Sequence, residues 1–371
     1  MCPLEFVCQR EELLRGISIV ERAATSKESM QILEGIYIRA EGDHLHLAAT
    51  DLELSIECDV PATVVQQGEA VLGSKVLSPI VRKLVGDQLV YRTSESGVAQ
   101  IESGPSHFTV HTMVADEFPA LPEVESTGLW RISQGELRRL IRHTAFAAAT
   151  DDSRPFLTGV FVEVEQDEIR LVATDSSRLA FRRGKLLEET DRPRSGIVPV
   201  RALSELMRIL DDDDDAVVEF EITESQAVFR AAGVQMISRV IEGQFPDYRR
   251  VLATDQPTRF RLDRTQLLAA VERVALIARR STPVVRLAVK GETLSLSSRE
   301  AEVGQAYEEL TVVKEGEDLE TAYQARFLTE VLRAMDSDQV EVALGDGLRQ
   351  GSITPVGDEN YVYIVMPVRV G

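Results

Sequence analysis

The chain reads as three copies of one domain-length pattern. Phe6-Val7-Cys8-Gln9 runs into a helical stretch with Leu13, Ile17 and Val20 on one stripe. Trp130-Arg131-Ile132-Ser133 does the same with Leu137, Ile141 and Thr144, and Phe260-Arg261-Leu262-Asp263 with Leu267, Val271 and Val274. The aromatic stands seven residues before the first stripe position in every copy, and the copies start 124 and 130 residues apart. A repeat of that length is a whole domain, far beyond the 20–50 residues of a solenoid unit. The chain therefore has to build several similar cores in a row, and 371 residues with 44% apolar content suffice for three.

Hydrophobic periodicity divides each copy again. In the first, a helix over 10–24 is followed by strand-like runs at Leu33–Ala40, Leu45–Ala49 and Leu52–Val60. A new strand begins at Glu69, a helix covers Ser74–Val85, and three more strands reach Met113. The second copy has a helix at 133–149, strands from Gly159 to Phe181 and Gly196 to Val200, a helix at 201–210 and strands to Val240. The third has helices at 264–280 and 325–335, with strands at 284–313 and on to the C-terminus. The order is β-α-β-β-β, twice per copy, an α+β class. Alternating Val, Ile and Thr marks the strands, and Ser74, Ser133 and Asp263 stand where helix caps belong. Proline-containing linkers at 119–122 and 253–257 place the three domains at 1–121, 129–252 and 258–371. Two further landmarks recur: Ala49-Thr50-Asp51 returns as Ala173-Thr174-Asp175, and Glu117-Phe118-Pro119 as Gln244-Phe245-Pro246. The third copy of the first landmark has drifted to Ser297-Ser298-Arg299.

Charge is segregated along this pattern. The chain carries a net charge of -20, which by itself argues against a nucleic-acid binder. The six predicted helices nonetheless hold 17 basic and 7 acidic residues, a net of +10, leaving -30 on the remainder. Helix propensity favours Glu as strongly as Lys or Arg, so propensity alone does not produce this bias. No helix-turn-helix, Cys/His finger or aromatic RNA-binding pattern accompanies it. Scattered helical cations without a reading motif suit phosphate contact irrespective of sequence.

Other classes are excluded on similar grounds. No apolar run of 18 residues exists, so no membrane span is expected, and the first residues show no basic stretch leading into an apolar one, so no signal peptide is expected. Three cysteines, Cys2, Cys8 and Cys58, lack CxxC spacing and fit a reducing cytoplasm. Asp211–Asp215 is five consecutive carboxylates, which cannot converge on one ion, so a solvated turn is expected and no metal or cofactor. The histidines (His44, His46, His107, His111, His143) come without GxSxG, HExxH or P-loop motifs, so no catalytic residue is assigned.

Three stretches carry a family resemblance: Ala173-Thr174-Asp175-Ser176-Ser177-Arg178-Leu179-Ala180, the run from Gly243 to Leu252, and Tyr363-Ile364-Val365-Met366-Pro367-Val368-Arg369-Val370. With the threefold repeat they resemble, over essentially the full chain, the bacterial DNA polymerase III beta subunit, the sliding clamp. The resemblance implies a head-to-tail homodimer whose six domains close a ring around double-stranded DNA. Twelve helices of about 10–12 Å width would line a hole of roughly 30 Å, wide enough for a duplex. Closure rather than affinity would then hold DNA, while the acidic exterior repels it.

The resemblance also implies sites. A hydrophobic cleft for short motifs of the replicative polymerase, clamp loader and repair proteins maps to Leu157, Thr174, Ser176, Arg178, Leu179, Pro246, Arg250, Val251, Leu348, Met366, Pro367 and Val368. DNA contacts map to Lys27 and to the loop 151–156 through Arg154 and Phe156. Pro155 and Phe156 stand where some members have adjacent tyrosines. Helix candidates for phosphate contact are Arg82, Lys83, Arg138, Arg142, Arg201, Arg279 and Arg280. The alternatives are a peptide-binding ring or scaffold that does not encircle DNA, disfavoured by the helix charge, and a metal-dependent enzyme built on the aspartate run.

Overall fold

The structure is a computed structural model, described for residues 4–25, 30–94, 97–122, 128–252, 256–278, 283–300, 302–346 and 349–369. Every aromatic and stripe position of the repeat is buried in it, from Phe6 and Leu13 to Phe260 and Val274. Thr144, the polar member of the stripe, donates its hydroxyl to the Leu140 carbonyl at 2.7 Å and so enters the core satisfied.

The helices are α1 (Arg10–Val20), α2 (Ser74–Lys83), α3 (Gln134–Thr144), α4 (Val200–Ile209), the single turn α5 (Arg249–Leu252), α6 (Arg264–Ala275) and α7 (Ala325–Ala334). Five of the six expected helices are shorter than the periodicity suggests, because an apolar stripe continues past the last helical hydrogen bond, while α4 keeps its length one residue earlier and α5 was not expected. The run read as 133–149 ends as a helix at Thr144 and continues as a 3-10 turn, Ala145–Ala147. Asp263 caps α6, accepting from the Gln266 backbone amide at 2.8 Å. Ser74 is already the first helical residue, after Gly73, so it is not the cap expected of it. The strand count also differs. Short extra strands appear at Thr63–Gln66 and Val313–Gly316, and the middle copy runs its strands together into Gly159–Thr174 and Arg178–Pro199.

The chain divides into two compact units, Met1–Gln134 with Glu205–Val240, and Gly135–Ser204 with Ile241–Gly371. Each unit contains a sheet shared between neighbouring copies, which is why the middle copy is split between them. In the first unit an eight-stranded antiparallel sheet takes four strands from the middle copy and four from the first. They join where Val234–Arg239 pairs with Leu54–Pro61, Ser238 opposite Leu54. In the second unit a seven-stranded sheet joins Arg178–Pro199 to Tyr361–Val365, Leu179 opposite Ile364. Each unit also has a smaller sheet with an open edge strand, Ser106–His111 in one and Gly304–Thr311 in the other. Among the described residues no helix is long and apolar enough to cross a membrane.

Backbone conformation repeats as faithfully as burial. Positive φ recurs at Gly42 (61°), Gln166 (57°) and Gly291 (54°), and again at Leu52 (75°) and Ser176 (76°). The second pair closes the Thr-Asp landmark. Amides of Leu52 and Ser176 donate to Thr50 and Thr174, both at 3.0 Å. The Asp51 carboxylate accepts from Glu53 and Leu54, and Asp175 from Ser177 and Arg178. Short side chains bonding their own backbone stabilise such a turn, and the non-glycine φ is tolerated because the bonds over-determine it.

Candidate docking cleft and nucleic-acid interface

Alternation along Arg178–Arg182 gives that strand two opposed faces. Leu179 and Phe181 lie on one, in a cluster with Val172, Tyr248 and Ile364, against which Phe161, Phe245, Val251, Leu252 and Val362 pack partly buried. Phe245, the aromatic of the second landmark, stacks on Phe161 with ring centres 5.0 Å apart, and Phe118 stacks on Tyr37 at 5.2 Å in the first copy. In the middle copy the chain continues into Tyr248 and α5. Tyr248 is buried and donates its hydroxyl to Glu163 at 2.8 Å. Glu163 also accepts from Arg249 and Arg170. Burial would raise its pKa, but these bonds from Arg249, Tyr248 and Arg170 outweigh that and lower it. Burial and the Glu163 bond push Tyr248 up to about 12, so it remains a donor at physiological pH.

Arg178 and Arg182 occupy the other face and are almost fully buried. Arg178 donates to Asp175 at 3.0 Å and to the Phe146 carbonyl at 2.7 Å, pairs with Glu330 on α7, and lies 4.6 Å from the Phe327 ring centre. Burial disfavours its charge, but the carboxylates keep it protonated. Arg182 donates to Asp358 at 2.7 Å and to His143 Nδ1 at 3.0 Å. Because an arginine only donates, Nδ1 accepts and the neutral ring carries its hydrogen on Nε2. Burial, with Arg182 and Arg142 beside it, lowers the His143 pKa to about 3.

The residues assigned to the cleft fall into place unequally. Leu179 and Val251 share the cluster, while Thr174, Ser176 and Arg178 form the turn beside it. The Met366 amide donates to the Ser177 carbonyl at 2.8 Å, which ties the C-terminal segment to that turn. Met366 itself is 39% exposed. Pro367 and Val368 are half-buried, and the Val368 amide donates to Ala322. Pro246 and Arg250 are exposed, Arg250 pairing with Asp247 at 2.9 Å. Leu157 is buried at the end of the 3-10 turn Pro155–Leu157. Leu348 lies outside the described residues. Sequence reasoning missed Tyr248, Ile364 and Phe245 as members of this face, although the recurring Phe-Pro landmark was a signal for the last.

The nucleic-acid candidates are likewise distributed. Arg154 is exposed, and its guanidinium donates to Ser176 Oγ at 2.6 Å and to the Asp175 carbonyl at 3.4 Å. The loop expected to meet DNA thus touches the turn expected to border the cleft. Phe156 packs over Gly243, whose φ of 141° and lack of a side chain admit the ring. Arg138 and Arg142 stand four residues apart on α3 and therefore on one face. Arg142 pairs with Asp336. Arg82 and Lys83 are exposed at the end of α2, Arg82 lying 3.8 Å from Glu21, and Arg201 is exposed at the start of α4. Lys27, Arg279 and Arg280 lie outside the described residues. Much of the helical cation excess thus has acidic neighbours: Arg273 pairs with Glu308 and Arg333 with Glu272. The aspartate run is an exposed turn in which Asp213 accepts from the Asp215 amide at 2.9 Å, and the described residues contain no metal-binding cluster.

Comparison with known proteins draws these features together. Residues 4–122, 131–247 and 249–369 match the N-terminal, central and C-terminal domains of the DNA polymerase III beta subunit. A beta sliding clamp from Bacillus subtilis (strain 168) is 33% identical, over 99% of this chain and 100% of its own. One from Staphylococcus aureus (strain N315) is 30% identical, over 99% of each. The crystal structure of the Bacillus subtilis DNA polymerase sliding clamp superposes with a TM-score of 0.96 at 32% identity, over 99% of this chain and 100% of that one. A Pseudomonas aeruginosa sliding clamp bound to griselimycin gives 0.94 at 29%, also over 99% and 100%. With three matched domains and full-length likeness in sequence and fold, the chain belongs to the DNA polymerase III beta subunit, or beta sliding clamp, family.

Proposed function

We propose that this chain is a DNA sliding clamp, two copies of which close a ring around duplex DNA and tether the replicative polymerase for processive synthesis. The full-length likeness to sliding clamps, at a TM-score of 0.96, carries the reading. The role is topological and needs no catalytic group. Edge strands Ser106–His111 and Gly304–Thr311 offer the second copy its contacts, since an unpaired strand edge is a template for another strand. They expose Phe108 at 37% and Tyr307 at 64%. The clamp loader and repair proteins would dock, like the polymerase, through short hydrophobic motifs on the face formed by Leu179, Val251 and Met366. There a flexible methionine adapts to different side chains. DNA phosphates would be met by α2, α3, α4 and the Arg154 loop without base readout. Buried free thiols at Cys8 and Cys58 suit a reducing cytoplasm.

The test is retention. Loaded protein should stay on a nicked circular duplex and leave once the circle is linearised; equal retention on both forms overturns the reading. Leu179→Ala with Met366→Ala should abolish binding of a labelled hydrophobic-motif peptide and leave the dimer mass near twice 41.1 kDa.

A further inference from the structure

Asp336 follows α7 and lies against two residues of α3. It pairs with the Arg142 guanidinium and stands 3.6 Å from His143 Nε2. The surrounding charges are accounted for. Arg182 is balanced by Asp358 at 2.7 Å, Arg139 by Glu136 at 2.9 Å, and His143 is neutral with its pKa held near 3. Asp336 therefore neutralises Arg142. The pair is open to water, with side chains 59% and 40% exposed. Exposed pairs of this kind are weak and exchange readily.

Arg142 shares its face of α3 with Arg138, the face that the sliding-clamp reading turns toward DNA. A phosphate approaching Arg142 meets a site already occupied by a carboxylate. We propose that Asp336 is a resident substitute for phosphate: it holds Arg142 between DNA contacts and competes with each phosphate that arrives. The ring thereby gains one electrostatic contact that never becomes sticky, which suits a protein that must slide. Asp336 is thus a tuning residue for DNA grip that acts through Arg142, and the proposal rests on the sliding-clamp reading above.

The experiment compares wild-type protein, Asp336→Asn, Asp336→Glu, Arg142→Ala and the Arg142→Ala/Asp336→Asn double variant. Each is titrated with a fluorescent duplex oligonucleotide from 50 to 200 mM salt. Freeing Arg142 adds one phosphate contact, so Asp336→Asn should bind more tightly and its plot of log K against log salt should steepen by about 0.9. Its advantage over wild type should then shrink by about three- to fourfold across that salt range. Asp336→Glu, which keeps the charge, should restore the wild-type slope. In the Arg142→Ala background Asp336→Asn should change nothing. A wild-type slope in Asp336→Asn overturns the proposal, and so does undiminished tightening without Arg142, which would reveal a general field effect. Either result with wild type retained on circular DNA sinks this inference alone. Loss of that retention sinks the sliding-clamp reading itself.

Discussion

The two joints between copies are built on the same turn in the same register, yet they have exchanged polarity. At the first joint, Leu54 and Cys58 are buried on one face of the strand, Cys58 against the Gly16 carbonyl of α1. Positions 124 residues later are Arg178 and Arg182, buried just as deeply at the second joint. The opposite face changes the other way. Tyr37, Ala48, Ser55 and Glu57 correspond to Phe161, Val172, Leu179 and Phe181. At the first joint that side is a hollow of about 460 Å³ lined by Tyr37, Arg39, His46, Glu57 and Glu69. At the second it is an apolar cluster. A fold can therefore hold one backbone turn fixed and make only one of two equivalent joints an apolar face, the one proposed for docking. The cost is two buried arginines, offset by carboxylates and aromatic rings.

Exchanging the buried residues is the strongest way to break this comparison. Leu54→Arg would force a cation into a slot packed for a leucine, where the carboxylate in reach is that of Asp51, already holding the Glu53 and Leu54 amides. A loss of about 4 kcal/mol is expected, enough to unfold much of the first unit in urea or heat. The reciprocal Arg178→Leu removes a charge but strands Asp175 and Glu330. Breaking a buried pair costs about 3–5 kcal/mol, and since Glu330 is 38% exposed the lower end applies. Urea denaturation of both variants checks the order. If Leu54→Arg proved the milder of the two, the contrast between the joints would be wrong.

The histidines of the two units sharpen the contrast through pH. His46 lies 3.3 Å from Glu57 and 3.0 Å from Asp59, and these carboxylates raise its pKa, Glu57 first. Its stabilising effect is present below the unfolded value and is lost as pH rises through the folded one. His143, lowered to about 3, works in the opposite sense. Its contribution is complete above the unfolded value of 6.5 and disappears as pH falls from there toward 3, with a slope approaching about 1.4 kcal/mol per unit. His143→Gln should therefore flatten the stability profile between pH 6 and 4, and His46→Gln should remove stability from the acid side only. Denaturant midpoints measured across that range test both. Parallel profiles for wild type and His143→Gln would refute the buried neutral ring.

Much of this was legible in the sequence. The aromatic-and-stripe repeat announced buried positions from Phe6 to Val274, and the Thr-Asp landmark announced two equivalent turns, because both signals are local. What stayed hidden depends on partners distant in the chain. Nothing near Leu54 or Leu179 reveals that each strand pairs into the next copy. Arg178 was assigned to the cleft through family likeness, but Arg182 and His143 were not assigned at all, since a sequence shows charge and not its burial. The helical cations read as a basic face; the carboxylates that meet Arg142, Arg273 and Arg333 come from other segments.

The smallest expected effect concerns what holds α5 over the apolar face of the second joint. At the second joint Tyr248 anchors that turn to Glu163, with Arg249 and Arg170 on the same carboxylate. The residue in the equivalent place after the first Phe-Pro landmark is Leu121, and Arg39 replaces Glu163, so no such anchor can form at the first joint. Tyr248→Phe keeps the ring in its cluster and deletes one hydrogen bond. Because two arginines still satisfy Glu163, the loss of stability should stay near 1 kcal/mol. Val251, three residues on, would be held less firmly over Leu179, so peptide affinity should fall by a similar energy, about fivefold, while dimer mass and retention on circular DNA are unchanged. Peptide titration of Tyr248→Phe beside Leu121→Ala separates the cases. An equal loss of affinity in both variants would show that the two joints contribute alike to docking, which the exchanged polarity of their faces argues against.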